Sequence, residues 1–203
     1  VYEDAETRAK YCRYTAGVDA LGKGELEKAA EQLKLADDYE DAADKFADAA
    51  LTLGHAAMET GEYQTAIRWL EQLPHEGETG KTLNQAVYAY ADELEQEGQK
   101  EAAATEFYSL GGYQDAQTRG NALEYALAME EKAADVESAL ERFELLGDYQ
   151  DAKAQAEACR YAIAQKAFEQ GQFEDALEGF SALGDFSDAK TQAQRCRYAL
   201  AQA

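Results

Sequence analysis

The chain has 203 residues and a formal net charge of −22, from 41 acidic against 19 basic residues. A surface of that sign repels phosphate backbones and anionic lipid headgroups, so nucleic-acid binding and direct membrane contact are not expected, and no apolar run approaches the roughly 18 residues of a membrane span. With 42 Ala against six Val and Ile together and a single Pro, composition favours helix and speaks against a β-sandwich or a parallel-sheet enzyme.

Taken in chain order, the sequence repeats. A loop-like string reads VYEDA at Val1–Ala5, DDYEDA at Asp37–Ala42, PHEGET at Pro74–Thr79, GGYQDA at Gly111–Ala116, GDYQDA at Gly147–Ala152 and GDFSDA at Gly184–Ala189. Its aromatic slot falls at Tyr2, Tyr39, Glu76, Tyr113, Tyr149 and Phe186, at spacings of 37, 37, 37, 36 and 37. The units run over about 2–38, 39–75, 76–112, 113–148 and 149–185, with a terminal helix over 186–203. One repeat domain over 1–203 is therefore expected, an all-α solenoid of five helix hairpins plus a C-terminal helix.

Within a unit the first helix runs about twenty residues and ends near a Gly (Gly24, Gly61, Gly98, Gly171), the residue suited to a helix C-terminus. The second is shorter. In the fifth unit its apolar residues Phe173, Ala176, Leu177, Phe180 and Leu183 follow the i, i+3, i+4, i+7 rule for one buried face. Other columns keep register: Tyr14, Leu51, Tyr88, Tyr125, Tyr161 and Tyr198; then Gly17, Gly54, Ala91, Ala128, Ala164 and Ala201. On the second helices come Ala29, Ala66, Ala103, Ala139 and Ala176, followed by Leu33, Leu70, Phe107, Phe143 and Phe180. Asp148 followed by Asp151, and Asp185 followed by Asp188, predict capping boxes, which gives the acidic loops a structural role. No segment has EF-hand spacing. The fourth unit is one residue short, with Ala134 where others have Gly.

The string Cys159–Leu183, with small Ala164, turn Gly171, aromatic Phe173, Ala176, Phe180 and Leu183, resembles a tetratricopeptide repeat. The likeness extends along the chain as a longer, 37-residue variant in which a GDYxDA loop stands in place of the family's terminal Pro. Arg13, Arg160, Arg197 or Glu124 stands where the family has a bulky apolar residue. This variant is similar to repeats of bacterial proteins, notably of Firmicutes. The resemblance implies a right-handed superhelix whose first helices line a concave groove, and a non-catalytic scaffold role in protein–protein or protein–peptide binding as a module of a larger bacterial protein. It places Asp48, His55 and Glu59 in that groove with Tyr88, Asp92 and Glu95, and adds Tyr125, Tyr161 and Phe168 further along. Basic side chains that would grip a carboxylate are absent from these positions except for Arg195, so a basic or aromatic-basic segment is the expected ligand.

No catalytic, metal or cofactor motif is present, and the two histidines, His55 and His75, occupy different units. Two rival readings stand beside the scaffold: a spacer that binds nothing in its groove, and a hydrolase using two inward carboxyls about 5–9.5 Å apart. Cys12, Cys159 and Cys196 share one column; equivalent residues of stacked helices lie ~8–10 Å apart, too far for a disulfide, so all three are expected as small buried residues. Unpaired cysteines point to a reducing compartment such as the cytoplasm. The Tyr column is either a set of ligand platforms or core filling, and its recurrence in nearly every unit suits packing. In the packing case Arg13, Arg160 and Arg197 reach loop Asp residues. Trp69, the single Trp, is expected as a partly exposed packing residue or part of an interaction patch.

Overall fold

The computed structural model describes residues 2–202, with side chains from Ala5 onward. The Tyr2 side chain, in the first aromatic slot, and Ala203, in the expected terminal helix, lie outside the described residues. Among those described there are eleven α-helices and no strand: α1 Tyr2–Gly22, α2 Leu26–Ala36, α3 Ala42–Thr60, α4 Tyr63–Leu70, α5 Gly77–Gln96, α6 Lys100–Ser109, α7 Ala116–Glu131, α8 Val136–Leu146, α9 Ala152–Glu169, α10 Phe173–Ala182 and α11 Ala189–Leu200. They form two compact units, Val1–Gln96 with α1–α5 and Glu97–Ala203 with α6–α11. In each, every helix packs on the next in sequence, the arrangement of an α-solenoid.

The cause is visible in what is buried. One hairpin cannot cover its own apolar stripe, so each cluster draws on consecutive helices. Leu33 of α2 sits with Ala20, Ala29, Ala36 and Ala42 from α1 to α3. Phe143 of α8 sits with Ala128, Ala139, Leu146, Ala152, Ala156 and Cys159 from α7 to α9, and Phe180 with Ala164, Ala176, Ala189, Ala193 and Cys196 from α9 to α11. Small residues on the first helices let the axes approach, and one Leu or Phe per second helix fills the gap.

Turns within hairpins close on a left-handed Gly: Gly24, Gly61, Gly98 and Gly171 have φ between 76° and 79°. The short fourth unit has no such Gly. There Asp135 is extended (φ −141°) and its carboxylate accepts from the Ser138 N–H at 3.1 Å, a side-chain N-cap.

The loops between hairpins are double turns. The N–H of the aromatic slot donates to the carbonyl three residues back, and the slot carbonyl accepts from the Ala three residues on, as at Tyr149 with Leu146 and Ala152. This needs φ > 0 twice: at Gly111, Gly147 and Gly184 or at Asp37, then at Glu40, Gln114, Gln150 and Ser187. The expected capping boxes do not form. Asp151 and Asp188 precede their helices with near-helical backbones (φ about −105°, ψ about 20°) and make no side-chain cap, while Asp148 and Asp185 pair with Lys153 and Lys190. The degenerate loop differs because Pro74 cannot take a positive φ. Only the second positive φ remains, at Gly77 (58°) after the slot, and a Cβ on Gly80 would come 2.5 Å from the His75 carbonyl oxygen, so this loop needs a glycine of its own at 80.

Candidate interaction surface on the first helices

Asp48, His55 and Glu59 lie seven and four residues apart on one face of α3, and Tyr88, Asp92 and Glu95 share a face of α5. α3 and α5 touch, so the first unit presents these positions on neighbouring helices. Asp48 and Glu59 are exposed; His55, Tyr88, Asp92 and Glu95 are half-buried. Asp92 accepts from the Gln96 side chain at 2.7 Å. Among the described residues, no three His, Cys, Asp or Glu side chains gather as a group able to hold a metal, and no helix is long and apolar enough to cross a membrane.

In the second unit Tyr125, Tyr161 and Phe168 are occupied by the protein itself. Tyr125 is half-buried edge-on against Phe143 (centroids 5.7 Å) and against Tyr149 of the next loop (6.1 Å), and its hydroxyl donates to Asp151 at 2.5 Å. Tyr161 does the same with Phe180 (5.3 Å), Phe186 (6.1 Å) and Asp188. In the first unit Tyr14 meets Tyr39 (5.5 Å) and donates to Asp41 at 2.6 Å. At all three sites the column is a latch from one hairpin to the loop that starts the next. Electrostatics follow. Donation to Asp41 pushes the Tyr14 hydroxyl up to about 12, and donation to Asp151 and Asp188 raises Tyr125 and Tyr161. The Tyr hydroxyl holds Asp151 and Asp188 below the usual carboxylate range; for Asp41, Lys45 does so first and Tyr14 second. Phe168 stacks edge-on with Phe173 (5.3 Å) under the Arg195 guanidinium (5.2 Å).

Contrary to the expectation for Arg13, Arg160 and Arg197, none of these arginines is seen on a loop carboxylate; at each of the three sites seen, a Tyr hydroxyl holds that place. Arg13 bonds Gln32 (2.9 Å) and Arg160 bonds Glu144 (2.7 Å). On the second helix of the same repeat their column meets Gln32 at Arg13, Trp69 at Ala50 and Arg142 at Glu124. Where the arginine position is Ala50, Trp69 fills the space and is buried, only 6 % exposed, instead of partly exposed. Where it is Glu124, Arg142 reaches it at 2.7 Å and also binds Glu131 (2.8 Å) and Glu101 (3.1 Å), tying α6, α7 and α8 together. These carboxylates, Glu131 foremost, raise the Arg142 pKa. Cys159 and Cys196 are buried and free, and burial pushes both thiols up. Cys12 is exposed, against expectation, because among the described residues no second helix packs on it as α8 does on Cys159 and α10 on Cys196.

Two residues at the repeat positions of the candidate surface, Tyr11 and Val18, were not singled out from sequence, whereas Met129 is one that the resemblance also maps to the groove. Tyr11 and Val18 on α1 and Met129 on α7 are large, apolar and exposed, at the same repeat positions as Asp48, His55 and Asp92. The repeat register alone places the first two there. Compared with family models and with curated proteins, the chain has no match.

Proposed function

We propose that the chain is a non-catalytic scaffold of tetratricopeptide type, a module of a larger bacterial protein, whose first helices bind a basic or aromatic-basic protein segment along a concave, right-handed surface. One observation carries the reading: within the first unit Tyr11 and Val18 of α1 leave apolar area in water, at the repeat positions that Asp48 and His55 hold on α3, where Asp48 and Glu59 are exposed. Apolar anchors beside carboxylates suit a segment of alternating bulky and cationic side chains. The Arg195–Phe168 pair shows in cis how a guanidinium sits on an aromatic of this face, a contact worth about 0.5–1 kcal/mol when exposed.

The test is a peptide-array screen followed by titration of the best basic hit at two salt concentrations. Binding should weaken steeply with salt and fall in Asp48→Lys, Glu59→Lys and Tyr11→Ser, all exposed positions. An array with no basic hit, or a hit indifferent to all three changes, leaves the spacer reading in its place.

A further inference from the structure

The second helices α2 and α4 of the first unit carry a site apart from the first-helix positions. Between them lies a cavity of about 450 Å³ lined by Glu31, Lys34, Leu35, Arg68, Trp69 and Gln72, together with Gln32. That volume is in the range of small-ligand or side-chain pockets. Three independent observations meet there. Leu35 is 57 % exposed at the rim. Trp69 forms part of the wall, and its indole N–H, buried in the protein, has no acceptor; an unmet buried donor is rare in a native fold. The third concerns charge. Lys23, Lys28 and Lys45 each hold a carboxylate at 2.5–2.7 Å. Lys34 instead bonds the amide oxygen of Gln72 at 2.7 Å. Arg68 lies over the Trp69 ring (5.2 Å) with Glu27 no nearer than 3.9 Å. Glu31 is the one carboxylate among the lining residues. In a chain of net charge −22 the lining itself carries two cations against one carboxylate, beside open apolar surface.

We propose that this cavity is a docking site for an acidic, leucine- or phenylalanine-bearing protein segment, whose apolar side chain lies against Leu35 and Trp69 and whose carboxylates engage Lys34 and Arg68. Its preference is opposite in sign to that of the first-helix surface, so the two sites take different partners and stand or fall separately.

Trp69 is the single tryptophan, so its emission reports on the cavity alone. The experiment titrates the full chain with a capped six-residue peptide alternating glutamate and leucine, and with its lysine–leucine counterpart. The acidic peptide should produce a saturable change in Trp69 emission that weakens at least tenfold in the double variant Lys34→Glu, Arg68→Glu and also in Leu35→Glu. It should persist in Asp48→Lys, which lies on the first-helix surface. All four altered side chains are exposed, so melting temperatures should stay within a few degrees of the parent and show that loss of binding is not loss of fold. No saturable change with the acidic peptide, equal affinity for the lysine peptide, or undiminished binding in the double variant would each overturn the proposal.

Discussion

The hairpins of the first unit and those of the second solve the same packing problem with different residues. In α1–α4 the close approach is Gly17 against Leu33 and Gly54 against Leu70; a Cβ on either glycine would sit 2.7 Å from the Leu side chain. In α7–α10 the same columns hold Ala128 with Phe143 and Ala164 with Phe180. Leu branches at Cγ directly over the facing helix, so the position beneath it must lose its methyl. A flat Phe ring slips past a methyl and turns its edge to Tyr125 or Tyr161. The neighbouring pair of columns divides the same way: Ala50 with Trp69 is an apolar filling, and Glu124 with Arg142 an ionic one. Each pair is complementary within itself, so packing here is specified two residues at a time.

The largest effect should come from splitting the ionic pair. Arg142 and Glu124 are only 19 % and 12 % exposed at their side chains. Arg142→Met leaves Glu124 poorly solvated and unpaired and should lower stability by about 2–3 kcal/mol. Adding Glu124→Leu removes the stranded charge and should recover most of that loss, imitating the Ala50–Trp69 solution. Chemical denaturation of the two variants decides it: if the double variant is as unstable as the single, the charge was not the cause.

Next in size is the glycine. Gly54→Ala should cost about 1–3 kcal/mol by overpacking, even though Ala is the better helix former. Leu70→Phe in the same chain converts the site to the Ala–Phe form and should relieve the strain, with a coupling of about 1 kcal/mol or more in a double-mutant cycle. Additive losses would mean that the two forms are not interchangeable and that the surrounding shell chooses between them.

Much of this fold is legible in the residues. The 37-residue period locates the helices in order, and the Gly, Ala and Leu/Phe columns name the buried face within each unit, because burial between repeats imposes the same requirement each time. Partnerships between columns are harder to read. The Tyr column and the aromatic slot of the following loop fail together, at Leu51 and Glu76, and that joint failure is the sequence trace of their contact. Likewise the tryptophan sits where the arginine column has Ala50. The capping expectation failed for a physical reason: Asp151 and Asp188 could serve either the helix N-terminus or the tyrosine hydroxyl, and without the extended backbone that Asp135 has as a cap they bond the latter. Of the candidate surface, resemblance alone proposed the acidic positions, of which Asp48 and Glu59 are exposed, while Tyr125, Tyr161 and Phe168 are engaged in packing within the second unit.

A loop comparison sharpens the contrast from the first unit's side. Asp37 has φ 56° and ψ −118°, nearly the backbone of Gly147 at the equivalent place (55°, −113°). That region suits glycine, and a side chain there stores strain. Asp37→Gly should raise stability by about 1 kcal/mol, and Gly147→Asp should lower it by a similar amount. The exposed Asp37–Lys10 pair subtracts little, because Lys10 keeps Asp38 at 2.6 Å. Unchanged melting temperatures in both directions would show that the loop relaxes around a side chain in either unit.

The smallest effect concerns the latches, which are present at Tyr14, Tyr125 and Tyr161 and missing at Leu51. Tyr161→Phe keeps the ring on Phe180 and removes the hydroxyl, so at neutral pH it should cost about 0.5–1 kcal/mol, the net worth of one hydrogen bond. Its signature lies in pH. Asp41, Asp151 and Asp188 are held below their ordinary value in the fold. The stability they contribute is therefore complete above the unfolded carboxylate pKa of about 3.9 and is lost as pH falls through their lower folded values. The tyrosines are raised, Tyr14 to about 12. Their contribution is complete below about 10 and is lost as pH climbs through the raised values. Melting temperature should hold a plateau between those limits and fall on both sides. Tyr161→Phe should flatten both limbs, the acid one only in part because Asp188 keeps its bond from Gln192. An alkaline limb as steep in the variant as in the parent would assign that fall to other groups and leave Tyr161 a packing residue alone, much as Leu51 is in the first unit.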